Sequence, residues 1–122
     1  MNPAAVTALR RIVMVVPTRL DIQLADSAIT IVYSGDPDPY FMPFGKELKR
    51  DLGGELKLTA KAKWDGGWIV VNRSVGGGGS LTELLIPSAN AERLTVVLEL
   101  GQGGREGMRI RRVYDRRQAP VP

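Results

Sequence analysis

Between positions 55 and 64 the chain reads ELKLTAKAKW, with Leu56, Leu58, Ala60, Ala62 and Trp64 alternating against Glu55, Lys57, Thr59, Lys61 and Lys63. A period of two sustained this long predicts a strand with one buried and one wet face. Asp65-Gly66-Gly67 supplies a turn, and the β-branched and aromatic run 68–71 (WIVV) leads back. Together they predict a hairpin whose Trp64 shares the apolar phase with Leu56 and Leu58, so Trp64 is expected in the core. The same reading makes Trp64 the centre of stability.

The period of two recurs elsewhere. Leu20, Ile22 and Leu24 alternate with Arg19, Asp21 and Gln23; after Ala25-Asp26-Ser27, Ile29, Ile31 and Tyr33 alternate back. Asp36-Pro37-Asp38-Pro39 punctuates a loop, since each proline keeps its predecessor out of helical geometry. Tyr40-Phe41-Met42 predicts a short strand, and 46–52 an edge strand guarded by Lys46, Lys49 and Arg50. Further strands are expected over 81–86, 93–100 and 108–115, joined through glycine-rich connections. Only the N-terminus departs from this rhythm. Asn2-Pro3 reads as a helix start, followed by Ala5, Leu9, Ile12, Val13 and Val16 on one helical face until Pro17 ends it. A strand over 12–16 is the competing reading, and the helix, over about 3–16, is preferred. The fold expected is therefore all-β: an antiparallel meander of about eight or nine strands forming a small barrel or β-sandwich, with one short N-terminal helix. Residues 1–117 make a single β-domain and 118–122 an extended tail.

Composition changes this picture little, except by exclusion. The chain has 122 residues with no Cys and no His. Disulfides, thiolate metal sites and the usual general base near neutral pH are all absent. The five apolar residues 12–16 behind Arg10 and Arg11 are shorter than the roughly 7–15 of a signal-peptide core. Charge is uneven. Residues 105–117 hold six Arg against Glu106 and Asp115, a surplus equal to the net charge of +4, so the remainder is neutral.

The segments PTRLDI (17–22), KAKWDGG (61–67), Thr82-Glu83, RLTV (93–96) and IRRVYDR (110–116) carry a resemblance. The chain resembles an uncharacterised, lipocalin-like β-rich domain of exported bacterial proteins, over roughly residues 5–117. It departs from that pattern at 36–43 and at the four-glycine run 76–79. The resemblance implies an extracytoplasmic, periplasmic setting and brings no catalytic residues.

Candidate chemistry is sparse. The run 76–79 lacks the Lys-Ser/Thr of a phosphate loop, and Gly101-Gln102-Gly103-Gly104 has Glu106 where a dinucleotide fingerprint needs its third glycine. Asp36 and Asp38 have no calcium-loop spacing, and no serine sits in a nucleophile elbow. No catalytic residue, cofactor or metal site is assigned, and the chain is expected not to be an enzyme. Arg105, Arg109, Arg111, Arg116 and Arg117 are the candidate partner-binding residues, extended by Lys57, Lys61 and Lys63 if the two strand faces adjoin. The expected function is an accessory interaction module docking on a partner protein or a larger assembly, membrane-associated ones included. No nucleic acid is expected, because Trp64 and Tyr114 fall in the apolar phase. A lipocalin-like carrier of a small apolar ligand is the alternative, and a carboxylate hydrolase is weaker still. Leucine and valine dominate the inward positions, which favours a filled interior and argues against a small-molecule ligand.

Overall fold

The structure, a computed structural model, describes residues 3–36, 38–76, 79–101 and 109–117. Helix α1 (Pro3–Met14) precedes nine strands. The first three are β1 (Leu20–Leu24), β2 (Ala28–Tyr33) and β3 (Tyr40–Pro43), which pair in that order as a small antiparallel sheet. The other six are β4 (Leu48–Gly53), β5 (Leu56–Asp65), β6 (Trp68–Val75), β7 (Gly79–Pro87), β8 (Arg93–Gly101) and β9 (Arg109–Asp115). They form one antiparallel meander in sequence order. The all-β fold with one N-terminal helix is as the alternation predicted. The expected tail at 118–122, Arg105 and most of the 101–107 loop lie outside the described residues.

Alternation decides which face of each strand is covered. Leu58, Ala60 and Ala62 on β5, Ile69, Val71 and Val75 on β6, Leu81 and Leu85 on β7, and Val96, Leu98 and Leu100 on β8 make the inner face of the large sheet. Onto it pack Ile29, Ile31, Tyr33, Tyr40 and Met42 from the small sheet, with Ala5 and Leu9 from α1. A backbone bond from Gly45 N–H to the Ala62 carbonyl (3.1 Å) ties the β3–β4 connection to β5.

The helix forms where the period changes from two to about four. Ala5, Leu9 and Ile12 lie on one face, and that face lies on β6 and β7. It ends at Met14, with a last bond from Val15 N–H to the Arg11 carbonyl (3.0 Å) ahead of Pro17. Val16, expected on the buried stripe, lies beyond the helix and is exposed.

One expectation is overturned. Trp64 is 50% exposed and Trp68 39%, so neither is a core residue. Trp64 does occupy the inward phase, opposite Ile69. But the hairpin runs on past the layer that covers its middle, and the Phe44 ring lies 5.9 Å from the indole. The largest fully buried side chains are instead Leu9, Ile29, Ile31, Met42, Leu58 and Leu81, with Val71, Val75 and Val96. They lie where the two sheets and α1 meet. Among the described residues no helix is long and apolar enough to cross a membrane.

Candidate functional site: a helix-covered cavity over a buried arginine–glutamate–tyrosine cluster

The inward phase of β6 reads Ile69, Val71, Arg73, Val75, and that of β7 reads Leu81, Glu83, Leu85. Each strand thus turns one charged residue into the core. The register pairs Arg73 with Leu81 and Val71 with Glu83, so the two charges are diagonal neighbours on one face, within reach of long side chains. Arg73 is 4% exposed and Glu83 2%.

Three side chains close on each other there. Arg73 Nη2 donates to Glu83 Oε2 at 2.8 Å and to the Tyr33 hydroxyl at 2.9 Å. The Tyr33 hydroxyl donates to Glu83 Oε1 at 2.6 Å. Both carboxylate oxygens are therefore engaged, and the buried pair is hydrogen-bonded as burial of charge demands. Among the described residues, Arg73 Nε is the one buried side-chain nitrogen or oxygen without a hydrogen-bond partner. Aromatic faces complete the surroundings of the cation: Arg73 sits 4.7 Å from the Tyr33 ring centre and 5.4 Å from that of Tyr40. The two rings meet edge to face at 5.5 Å. Arg50, on the edge strand β4, lies 3.9 Å from the other ring contact point of this group, the Tyr40 centroid, and donates to the Pro39 carbonyl at 2.7 Å.

Titration follows from burial. Desolvation first, and the Glu83 carboxylate second, push the Tyr33 phenol well above its ordinary value; Arg73 opposes them and loses. Tyr40 and Tyr114 are also raised, again chiefly by burial. Burial alone would lower the Arg73 guanidinium, but Tyr33 and Glu83 outweigh it and hold the group above its ordinary range, so it stays charged.

These shifts set an alkaline limit on stability. The folded state keeps the Tyr33 proton above about pH 10, where the unfolded chain has released it. Stability is therefore whole below about pH 10 and falls at higher pH, by about 1.4 kcal/mol per pH unit for the buried Tyr33; Tyr40 and Tyr114, less deeply enclosed, add less. Absorbance titration should show Tyr33 ionising only with unfolding, and Tyr33→Phe should flatten the alkaline slope. All three tyrosines titrating near pH 10 in a protein that stays folded would contradict it.

Above this cluster lies a cavity of about 740 Å³, half open to solvent, between α1 and the inner face of the large sheet. Its apolar wall comes from Ala4, Ala8 and Ile12 of α1 and from Leu52 and Leu56. Its polar floor is Tyr33, Tyr40, Arg73 and Glu83, with Arg112 of β9 on one side and Asp36 and Arg50 on the other. Arg50 Nη1 stands 3.7 Å from Asp36 Oδ2. The Tyr114 hydroxyl donates to the Pro17 carbonyl at 2.8 Å and so ties β9 to the segment that follows α1.

The sequence-predicted arginines lie elsewhere. Arg109 and Arg111 are exposed on the outer face of β9, and Arg116 and Arg117 are exposed just beyond it. Arg109 Nε is 3.6 Å from Glu99 Oε1. Arg112 is on the edge strand β9 and faces inward. The two basic strand faces do not adjoin. Lys57, Lys61 and Lys63 share the outer face with Arg109 and Arg111, but β6, β7 and β8 intervene, about 19 Å at the usual strand spacing. One outer row runs Lys63, Val70, Leu84, Val97, Arg111, an apolar stripe with a cation at each end.

Sequence reasoning missed Arg73, Glu83 and Tyr33 as a group. The available signal was opposite charges in the apolar phase of consecutive strands, one diagonal step apart across a glycine turn. A scan against protein-family models finds no match for this chain, and a search of curated proteins finds no relative.

Proposed function

We propose that the chain is a non-catalytic binding domain that holds a small amphipathic molecule in the cavity beneath α1. The observation that carries this reading is the cavity itself, walled by aliphatic side chains and floored by the buried Tyr33–Arg73–Glu83 cluster. Its volume falls in the range of small-molecule sites, and few convergent polar groups in an apolar wall are what such sites use for orientation. Binding suits the cluster better than catalysis. Both Glu83 oxygens are taken, and Tyr33 is held protonated, so neither group is poised to move a proton at neutral pH.

Ala8 lies on the cavity wall. Ala8→Trp should therefore weaken one-to-one binding of amphipathic probes at least about tenfold, or about 1.4 kcal/mol, with the fold intact by circular dichroism. Unchanged affinity in that variant would move any binding out of the cavity.

Docking on a partner protein is the second reading, favoured by Arg109, Arg111, Arg116 and Arg117, which are exposed together on and just beyond β9. Arg109→Glu with Arg111→Glu should then reduce recovery of an acidic partner by affinity purification from the native source, and added salt should do the same. Wild-type recovery by the doubly reversed protein would leave the arginines a solvated face.

A further inference from the structure

Strand β1 leaves both its backbone and its apolar row unfinished. Bonds from Ser34 N–H to the Arg19 carbonyl and from Ala25 N–H to the Ala28 carbonyl, each 2.9 Å, flank its pairing with β2. In an antiparallel ladder, hydrogen-bonded pairs alternate with open ones. Asp21 and Gln23, in step with Arg19 and Ala25, therefore bond β2, while Leu20, Ile22 and Leu24 turn their N–H and C=O groups to the free edge. β1 ends its sheet, and no described residue bonds those groups. The side chains repeat the pattern. Leu20, Ile22 and Leu24 stand opposite the buried Tyr33, Ile31 and Ile29 and share their core-facing side. Yet Ile22 is 37% exposed and Leu24 54%, so the layer that covers Ile29 and Ile31 stops short of them. The other described edges are guarded. β4 carries Lys49, Arg50 and an irregular register between Asp51 and Gly53, β9 carries Arg109 and Arg111, and β3 ends in Pro43. Charge, bulges and proline keep strand edges apart, whereas β1 is apolar at every position whose backbone is free.

We propose that β1 pairs antiparallel with β1 of a second copy of this chain, joining the two small sheets across a two-fold axis at Ile22. In that register every free group finds a partner: Leu20 bonds Leu24 of the second copy, Ile22 its own counterpart, and Leu24 Leu20. The axis runs perpendicular to the sheet, so the two exposed apolar rows meet on one side. A shift of two residues sets Leu24 against Thr18 or Leu20 against Asp26 and breaks the match. On the outer side Asp21 falls opposite Gln23. Arg19, 2.9 Å from Asp21, balances that carboxylate, and no like charges stand directly opposite. This self-complementarity selects a second copy over a foreign strand. None of the residues of β1 lines the cavity, so the proposal stands apart from the binding reading. Five residues a side make a small contact, and the dimer expected is a reversible one in the micromolar range.

Sedimentation velocity of the full chain, from about 1 μM to about 500 μM, should show monomer passing to dimer. Because Ile22 faces itself across the axis, Ile22→Lys and Ile22→Glu should each raise the dissociation constant at least about tenfold. An equimolar mixture of the two variants should regain a dimer containing one copy of each, since opposite charges then meet. Melting curves verify the fold. Leu24→Lys, at the more exposed position, should weaken the dimer likewise and decides the matter where an Ile22 variant unfolds. Arg109→Glu, on the far edge strand β9, should leave the dimer unchanged. Monomer at every concentration overturns the proposal, and so does a dimer that no substitution in β1 weakens. Ile22 variants that weaken the dimer singly and stay monomeric when mixed overturn the two-fold register at Ile22.

Discussion

Glu83→Ala should be the most destabilising single polar substitution in the protein, at roughly 3–5 kcal/mol. The side chain is buried and accepts from two donors, Arg73 Nη2 and the Tyr33 hydroxyl. Its loss strands a guanidinium that burial already disfavours and a phenol without an acceptor. The intact pair contributes far less than this figure, because bringing both charges out of water offsets most of their attraction. That asymmetry gives the test its second arm. Arg73→Leu combined with Glu83→Leu and Tyr33→Phe removes every member of the cluster together and should recover most of the loss. Denaturant unfolding measures both. With about 5–15 kcal/mol of total stability in a typical domain, Glu83→Ala leaves the protein near its threshold. A loss under about 1 kcal/mol would mean that water reaches the cluster.

Leu9→Ala should cost about 2–5 kcal/mol, as for a fully buried leucine. Leu9 is wholly enclosed, one turn from the equally enclosed Ala5. A helix of 12 residues is marginal in water by itself, so α1 exists because Ala5, Leu9 and Ile12 are docked on the sheet. The cost is therefore paid by the whole docked helix, and α1 also supplies one wall of the cavity. The variant should lose amide protection in α1 ahead of β6 and β7 and should bind amphipathic probes more weakly. Arg10→Ala, on the exposed face, should stay within about 0.5 kcal/mol of wild type. Equal effects from the two substitutions would show that α1 is not anchored through Leu9.

How much of this was legible in the sequence varies with the kind of interaction. Strand phase was legible throughout, because alternation is a local property. The 20–24 and 28–33 hairpin and the edge strand after Lys46 follow from it directly. Trp64 shows where that stops: the phase was right, but whether a layer covers the end of a hairpin depends on residues far along the chain. The cavity was hidden for the same reason: it opens where α1, the loop after β2 and the edge strand β4 come together, residues far apart along the chain, while the inward leucines and valines are packed. Arg73 and Glu83 stand between these cases. Their inward phase is plain in the sequence, and their opposite signs on consecutive strands predict a pair; Tyr33 as third member comes from the other sheet.

The most direct test of the cavity as a binding site is a nuclear magnetic resonance titration of the intact chain with decanoate. Saturable shifts should gather at the amides of Thr7, Ala8, Ile12, Ser34, Leu52 and Glu83, which surround the cavity on three elements and a loop. Shifts confined to the outer face around Val70, Leu84 and Val97, or no saturable shifts, would contradict the account.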